Sequence, residues 1–79
     1  MGTDISIKFT SVNQKIDFSI KCNDKDKFYK IEDILYEQYP EYRDSENYFI
    51  CNGKKINKYR SLGENDIKNG SIIILEIIE

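Results

Sequence analysis

This 79-residue sequence predicts an α+β fold in which one mixed sheet of four to five strands packs on a single α-helix. Three observations lead there. Two segments near the start alternate apolar and polar residues, a middle segment switches to helical spacing, and a nearly unbroken apolar run closes the chain. Read in order they give β-β-α-β-β-β, organised as a single domain over residues 1–79, with no linker, repeat or low-complexity tract to divide it.

Ile5, Ile7 and Phe9 alternate with Ser6, Lys8 and Thr10, the period of a half-buried strand. After a short polar connection at 11–14, Ile16, Phe18, Ile20 and Cys22 alternate with Asp17, Ser19 and Lys21, so an antiparallel hairpin is expected. Asn23 to Asp26 is a turn rich in residues that cap helix N-termini. From there Phe28, Ile31, Ile34 and Leu35 follow helical spacing, with Lys30, Glu32, Asp33 and Glu37 on the other face. Pro40 predicts a helix end near Tyr39, and residues 41–47 read as a polar loop.

Tyr48-Phe49-Ile50-Cys51 is a short third strand, and Asn52-Gly53 signals a two-residue hairpin turn leading into Lys54-Lys55-Ile56. A connection with Leu62 and Ile67 follows, then a second turn at Asn69-Gly70. The stretch from Ser71 to Ile78 is almost wholly apolar and is placed centrally, parallel to the first strand. One helix must cover the apolar face of such a sheet. The expected core is Ile5, Ile7, Phe9, Ile16, Phe18, Ile20, Phe28, Ile31, Leu35, Phe49, Ile56, Leu62, Ile67, Ile73 and Leu75.

Composition narrows the function classes. A chain this short buries only ~60% of the surface its unfolded form exposes, so the core is small. Net charge is −2 with both signs interspersed, which lacks the basic stripe of a nucleic-acid binder and the polybasic patch of a membrane-surface binder. No apolar run approaches the ~20 residues that span a bilayer, and the N-terminal residues lack the pattern of a secretory signal. The expectation is an intracellular protein, cytoplasmic or nuclear, with Cys22 and Cys51 as reduced thiols on separate strands. Histidine is absent, which removes His-activated nucleophiles and the usual zinc-ligand sets. No catalytic constellation, metal site or cofactor is expected.

From Tyr48 onward the sequence resembles ubiquitin without a gap. Gly53-Lys54 falls on the Gly-Lys turn of that family, Ser61-Leu62 on its Thr-Leu, and Ile67 on its buried isoleucine; the spacing to the last strand is the same. The N-terminal half matches in pattern only. The resemblance implies the ubiquitin-like β-grasp fold, and fold analogy by itself does not assign a function. Conjugated members of the family end in a diglycine. Here the last residues read are Leu75-Glu76-Ile77-Ile78-Glu79, so non-covalent docking is expected, with a covalent modifier of atypical C-terminus as the alternative.

Partners of ubiquitin recognise an apolar patch on the open face of its sheet. By that resemblance Ile50 and Ile74 fall on patch positions, Val12 lies near the loop leucine, and Glu76 replaces a patch valine. Alternation points to the same surface. If Phe49, Ile73 and Leu75 face the helix, then Tyr48, Ile50, Ile72 and Ile74 face away from it. Contiguous apolar surface of this kind marks an interface. Val12, Tyr48, Ile50, Ile72 and Ile74 are therefore the candidate partner-binding residues, and the expected partners are proteins, within a multi-protein complex in which this chain is an adaptor or small subunit. The basic cluster Lys54, Lys55, Lys58 and Arg60 reads as a solvated loop. Tyr39 and Tyr42 read as the edge of the core, hydroxyls reaching water.

Overall fold

In the computed structural model, which describes residues 2–78, β1 (Asp4–Ser11) and β2 (Asp17–Asn23) pair antiparallel, with Ile5 opposite Cys22, Ile7 opposite Ile20 and Phe9 opposite Phe18. The helix α1 (Phe28–Gln38) follows. Then come β3 (Asn47–Cys51), β4 (Lys54–Lys55) and β5 (Ile72–Ile77), with short 3-10 turns at Pro40–Tyr42 and Gly63–Asn65. The strands form one sheet in the order β2-β1-β5-β3-β4. β5 is parallel to β1 and antiparallel to β3, so the most apolar strand occupies the centre, as its composition predicts.

The helix packs on one face of this sheet. Ile5, Ile7 and Phe9 of β1, Phe49 and Cys51 of β3, and Ile73 and Leu75 of β5 meet Phe28, Ile31 and Leu35 of α1, with Ile16, Leu62 and Ile67 closing the ends. Phe9, Phe28 and Phe49 form the centre. Their ring centroids lie 6.1 Å (Phe9–Phe28), 5.8 Å (Phe9–Phe49) and 5.0 Å (Phe28–Phe49) apart, at tilted to edge-on angles that suit aromatic quadrupoles.

Four expectations need correction. Phe18, Ile20 and Ile56 are only half-buried, packed against the core rather than inside it. An 11-residue helix is about 16 Å long and covers the middle strands, whereas β2 is an edge and Ile56 follows the other edge. Ile34 is exposed, because it precedes Leu35 by one position and turns away from the face that Phe28, Ile31 and Leu35 define. Tyr36, Tyr42 and Cys51 are buried instead. Residues 41–47 are less loop-like than their polarity suggests. The Tyr36 hydroxyl donates to Glu32 Oε2 at 2.7 Å and accepts from Asn47 Nδ2 at 3.0 Å, and Asn47 Nδ2 also reaches Tyr42 O at 2.6 Å.

The start of the helix is the fourth. No side chain from 23–26 caps it: Lys27 is the N-cap, without a side-chain bond. Asn23 Oδ1 accepts from the Lys25 N–H, and Asp26 Oδ2 from the Asn23 N–H, so these polar groups hold their own turn. The free amides of the first helical turn go to the distant 58–60 segment. Phe28 N–H donates to Arg60 O and Tyr29 N–H to Lys58 O, both at 3.0 Å, while Leu62 N–H donates to Asp26 O and Gly63 N–H to Asp24 O. A helix end needs such acceptors, and here the backbone supplies them. The connecting segment is rigid in turn: Ser61 and Glu64 exchange bonds, Glu64 Oε1 accepting from Ser61 N–H and Ser61 Oγ from Glu64 N–H, a capping box.

Candidate functional site

The sheet face opposite the helix carries the candidate residues, and strand pairing sets their neighbours. Ile50 of β3 lies directly opposite Ile74 of β5, and Ile74 lies beside Thr10 of β1. Ile72 lies beside Lys8, Tyr48 opposite Glu76, and Lys55 of β4 opposite Ile50. Ile72 is 55% exposed, and Ile50, Ile74 and Tyr48 are partly covered. Their in-chain neighbours Phe49, Ile73 and Leu75 are buried under the helix, so alternation along β3 and β5 separates the two rows as the sequence predicts.

Ile72, Ile74, Ile50 and Tyr48 therefore make one oblique apolar band across the adjacent strands β5 and β3. Val12 stands apart. It is 70% exposed just beyond the end of β1, in a shallow depression with Ser11, Asn13, Leu75, Glu76 and Ile77. Glu76 lies between it and Tyr48. Five candidates thus resolve into a band of four and an outlier across a carboxylate.

Two further groups belong to the surface, and sequence reading missed both. Lys55 Nζ sits 5.2 Å from the Tyr48 ring centroid, a cation–π contact that fixes the outer margin of the band. Lys8 pairs with Asp17 at 3.3 Å and borders Ile72. Alternation could have turned Lys8 and Thr10 outward, but only the β1–β5 register shows which isoleucine each adjoins. Ile77, at the end of β5, is also exposed, because α1 does not reach that far.

The thiols lie far apart. Cys22 and Cys51 are free, on strands three spacings apart, or about 14 Å. Burial, with a smaller contribution from the Asp26 carboxylate, pushes the Cys22 thiol from 9.0 up to about 11, so it stays protonated at neutral pH. Among the described residues no group of three or more His, Cys, Asp or Glu side chains could hold a metal ion. No helix of the described residues is long and apolar enough to cross a membrane.

A mixed five-stranded sheet in this order, grasping one helix, is the ubiquitin-like β-grasp fold. A solved structure of a protein designed de novo on the basis of ubiquitin matches 94% of this chain and 88% of its own, with a TM-score of 0.79 and 18% identity. At that identity the likeness concerns the fold alone. No family model matches the sequence, and no curated protein does.

Proposed function

We propose that this chain is a protein-interaction module that docks partners non-covalently through the open face of its sheet, as an adaptor or small subunit of a larger assembly. The observation that carries this reading is the cross-strand pair Ile50–Ile74, extended by Ile72 on one side and Tyr48 on the other. Branched apolar side chains grouped on a solvent-facing sheet are unfavourable unless something covers them. Covering one such side chain fully is worth ~1.5–3 kcal/mol, so the band supplies anchors to which the rest of an interface adds before association costs are met. Rigidity adds to this, because the four residues sit on paired strands. Docking through this face does not depend on the chemistry of the C-terminus.

The test compares the parent protein with an Ile50→Arg/Ile74→Arg variant and a Tyr29→Arg variant on the exposed side of α1. Each is immobilised, exposed to extract from the native source, and checked for folding by circular dichroism. Loss of the bound set in the sheet variant, and its retention in the helix variant, is the expected result. An unchanged bound set with both isoleucines replaced removes the proposal.

A further inference from the structure

Two Asn-Gly pairs stand at turns of this chain, and their surroundings differ. Asn69-Gly70 is tied to β1: Asn69 Oδ1 accepts from the Ser6 N–H at 2.8 Å, and the Gly70 N–H donates to Ser6 O at 2.7 Å. Asn52-Gly53 forms the tip of the β3–β4 hairpin, with φ of 54° and 77°, the left-handed pair that a type I′ turn requires. Both residues are exposed. A Cβ placed on Gly53 or on Gly70 would meet nothing within 4 Å, so the two turns differ in their hydrogen bonds and not in open space. Among the described residues, nothing hydrogen-bonds the Asn52 side chain or the Gly53 N–H.

We propose that Asn52 is a site of spontaneous deamidation and isomerisation, and that Asn69 is shielded from the same chemistry by its two bonds to Ser6. The Gly53 amide nitrogen gives its proton to solvent base and attacks Asn52 Cγ. A C–N bond forms, and the side-chain nitrogen takes up a proton and leaves as ammonia. The resulting five-membered succinimide is opened by water at either carbonyl. One opening gives aspartate, the other isoaspartate. No electrons are transferred, and water is the only co-reactant consumed. Glycine after the asparagine matters because no side chain obstructs the attacking nitrogen. At Asn69 both participants are already engaged: the amide oxygen holds one Ser6 group and the Gly70 nitrogen holds the other.

The site adjoins the sheet face. Asn52 follows Ile50 by two residues, and Lys55 pairs with Ile50 while covering Tyr48. Aspartate places a new carboxylate beside Lys54 and Lys55. Isoaspartate also inserts a carbon into the backbone of a two-residue turn, which shifts Lys55 against Ile50. The effect on docking rests on the function proposed above; the chemistry does not.

The test incubates the full chain at mildly alkaline pH, natively and in denaturant, and follows each site by peptide mapping with fragmentation that separates aspartate from isoaspartate. In the native protein Asn52 converts at least about tenfold faster than Asn69, because reaction at Asn69 requires both bonds to Ser6 to open. In denaturant the two sites convert at similar rates. An Asn52→Gln variant, which would close a slower six-membered ring, loses the fast native conversion. Similar native rates at the two sites overturn the proposal. So does a native Asn52 that stays intact while the denatured chain converts.

Discussion

The Tyr39 hydroxyl engages both backbone groups of Asp17, accepting from its N–H and donating to its C=O, each at 3.3 Å. Asp17 opens β2, the edge strand of the sheet. At the far end of β2, Asp26 Oδ2 accepts from the Asn23 N–H at 3.0 Å. Asp17 and Asn23 thus direct backbone groups away from β1, and by alternation so do Ser19 and Lys21. Unpaired edges invite pairing with other chains. Here side chains occupy the two ends and leave a short stretch between them.

Tyr39→Phe keeps the ring against Phe18, where the centroids are 6.4 Å apart, and removes only the hydroxyl. The expected loss of stability is small, about 0.5 kcal/mol for long, exposed hydrogen bonds. Self-association at high concentration should rise relative to the parent, because the edge gains a free donor and acceptor. Urea unfolding and analytical ultracentrifugation measure the two effects. A variant that associates no more than the parent would show that Tyr39 does not guard this edge.

Position within the sheet should set the consequence of removing a ring. Phe49 is buried between Phe9 and Phe28, so Phe49→Ala should destabilise by about 3–5 kcal/mol. Phe18 lies on the same face but on the edge strand, half-buried, and Phe18→Ala should cost roughly 1–2 kcal/mol. Urea midpoints compared at equal slope read the difference. Equal losses would mean that the helix covers β2 as fully as it covers β3.

Alkaline pH should weaken the fold through Cys22. Up to about pH 9.0 the thiol keeps its proton in both states. Between 9.0 and about 11 the unfolded chain releases it while the folded chain does not, so stability falls through that window. Tyr36 acts in the same direction higher up. Burial raises its phenol, and the Glu32 hydrogen bond adds to that, while the bond from Asn47 opposes it. Cys22→Ala should flatten the early part of the decline in a series of urea midpoints against pH. A slope identical to that of the parent would assign the loss to other groups.

Much of this architecture was legible beforehand because its signals are local. Period two in β1 and β2, the change of period at Phe28, Pro40 and Asn52-Gly53 each act within a few residues. The outward row Tyr48, Ile50, Ile72 and Ile74 was legible for the same reason, since alternation needs only one inward neighbour to be known. Burial at the margins was not. Phe18 and Tyr42 exchange the places their hydropathy suggests, because the reach of α1 over the sheet and the Tyr36–Asn47–Tyr42 bonds depend on segments far apart in sequence.

The sequence by itself determined which segments become strands and helix, which strand lies at the centre, and which side chains turn away from the core. These follow from periodicity and from the conformations that proline, glycine and asparagine allow. Only the tertiary structure decided that Ile50 meets Ile74, that Val12 stands across Glu76 from the others, that Lys55 covers Tyr48, and that Ser6 hydrogen-bonds the Asn69-Gly70 turn. Each is a meeting of residues on different strands, and register comes from packing the whole sheet against the helix.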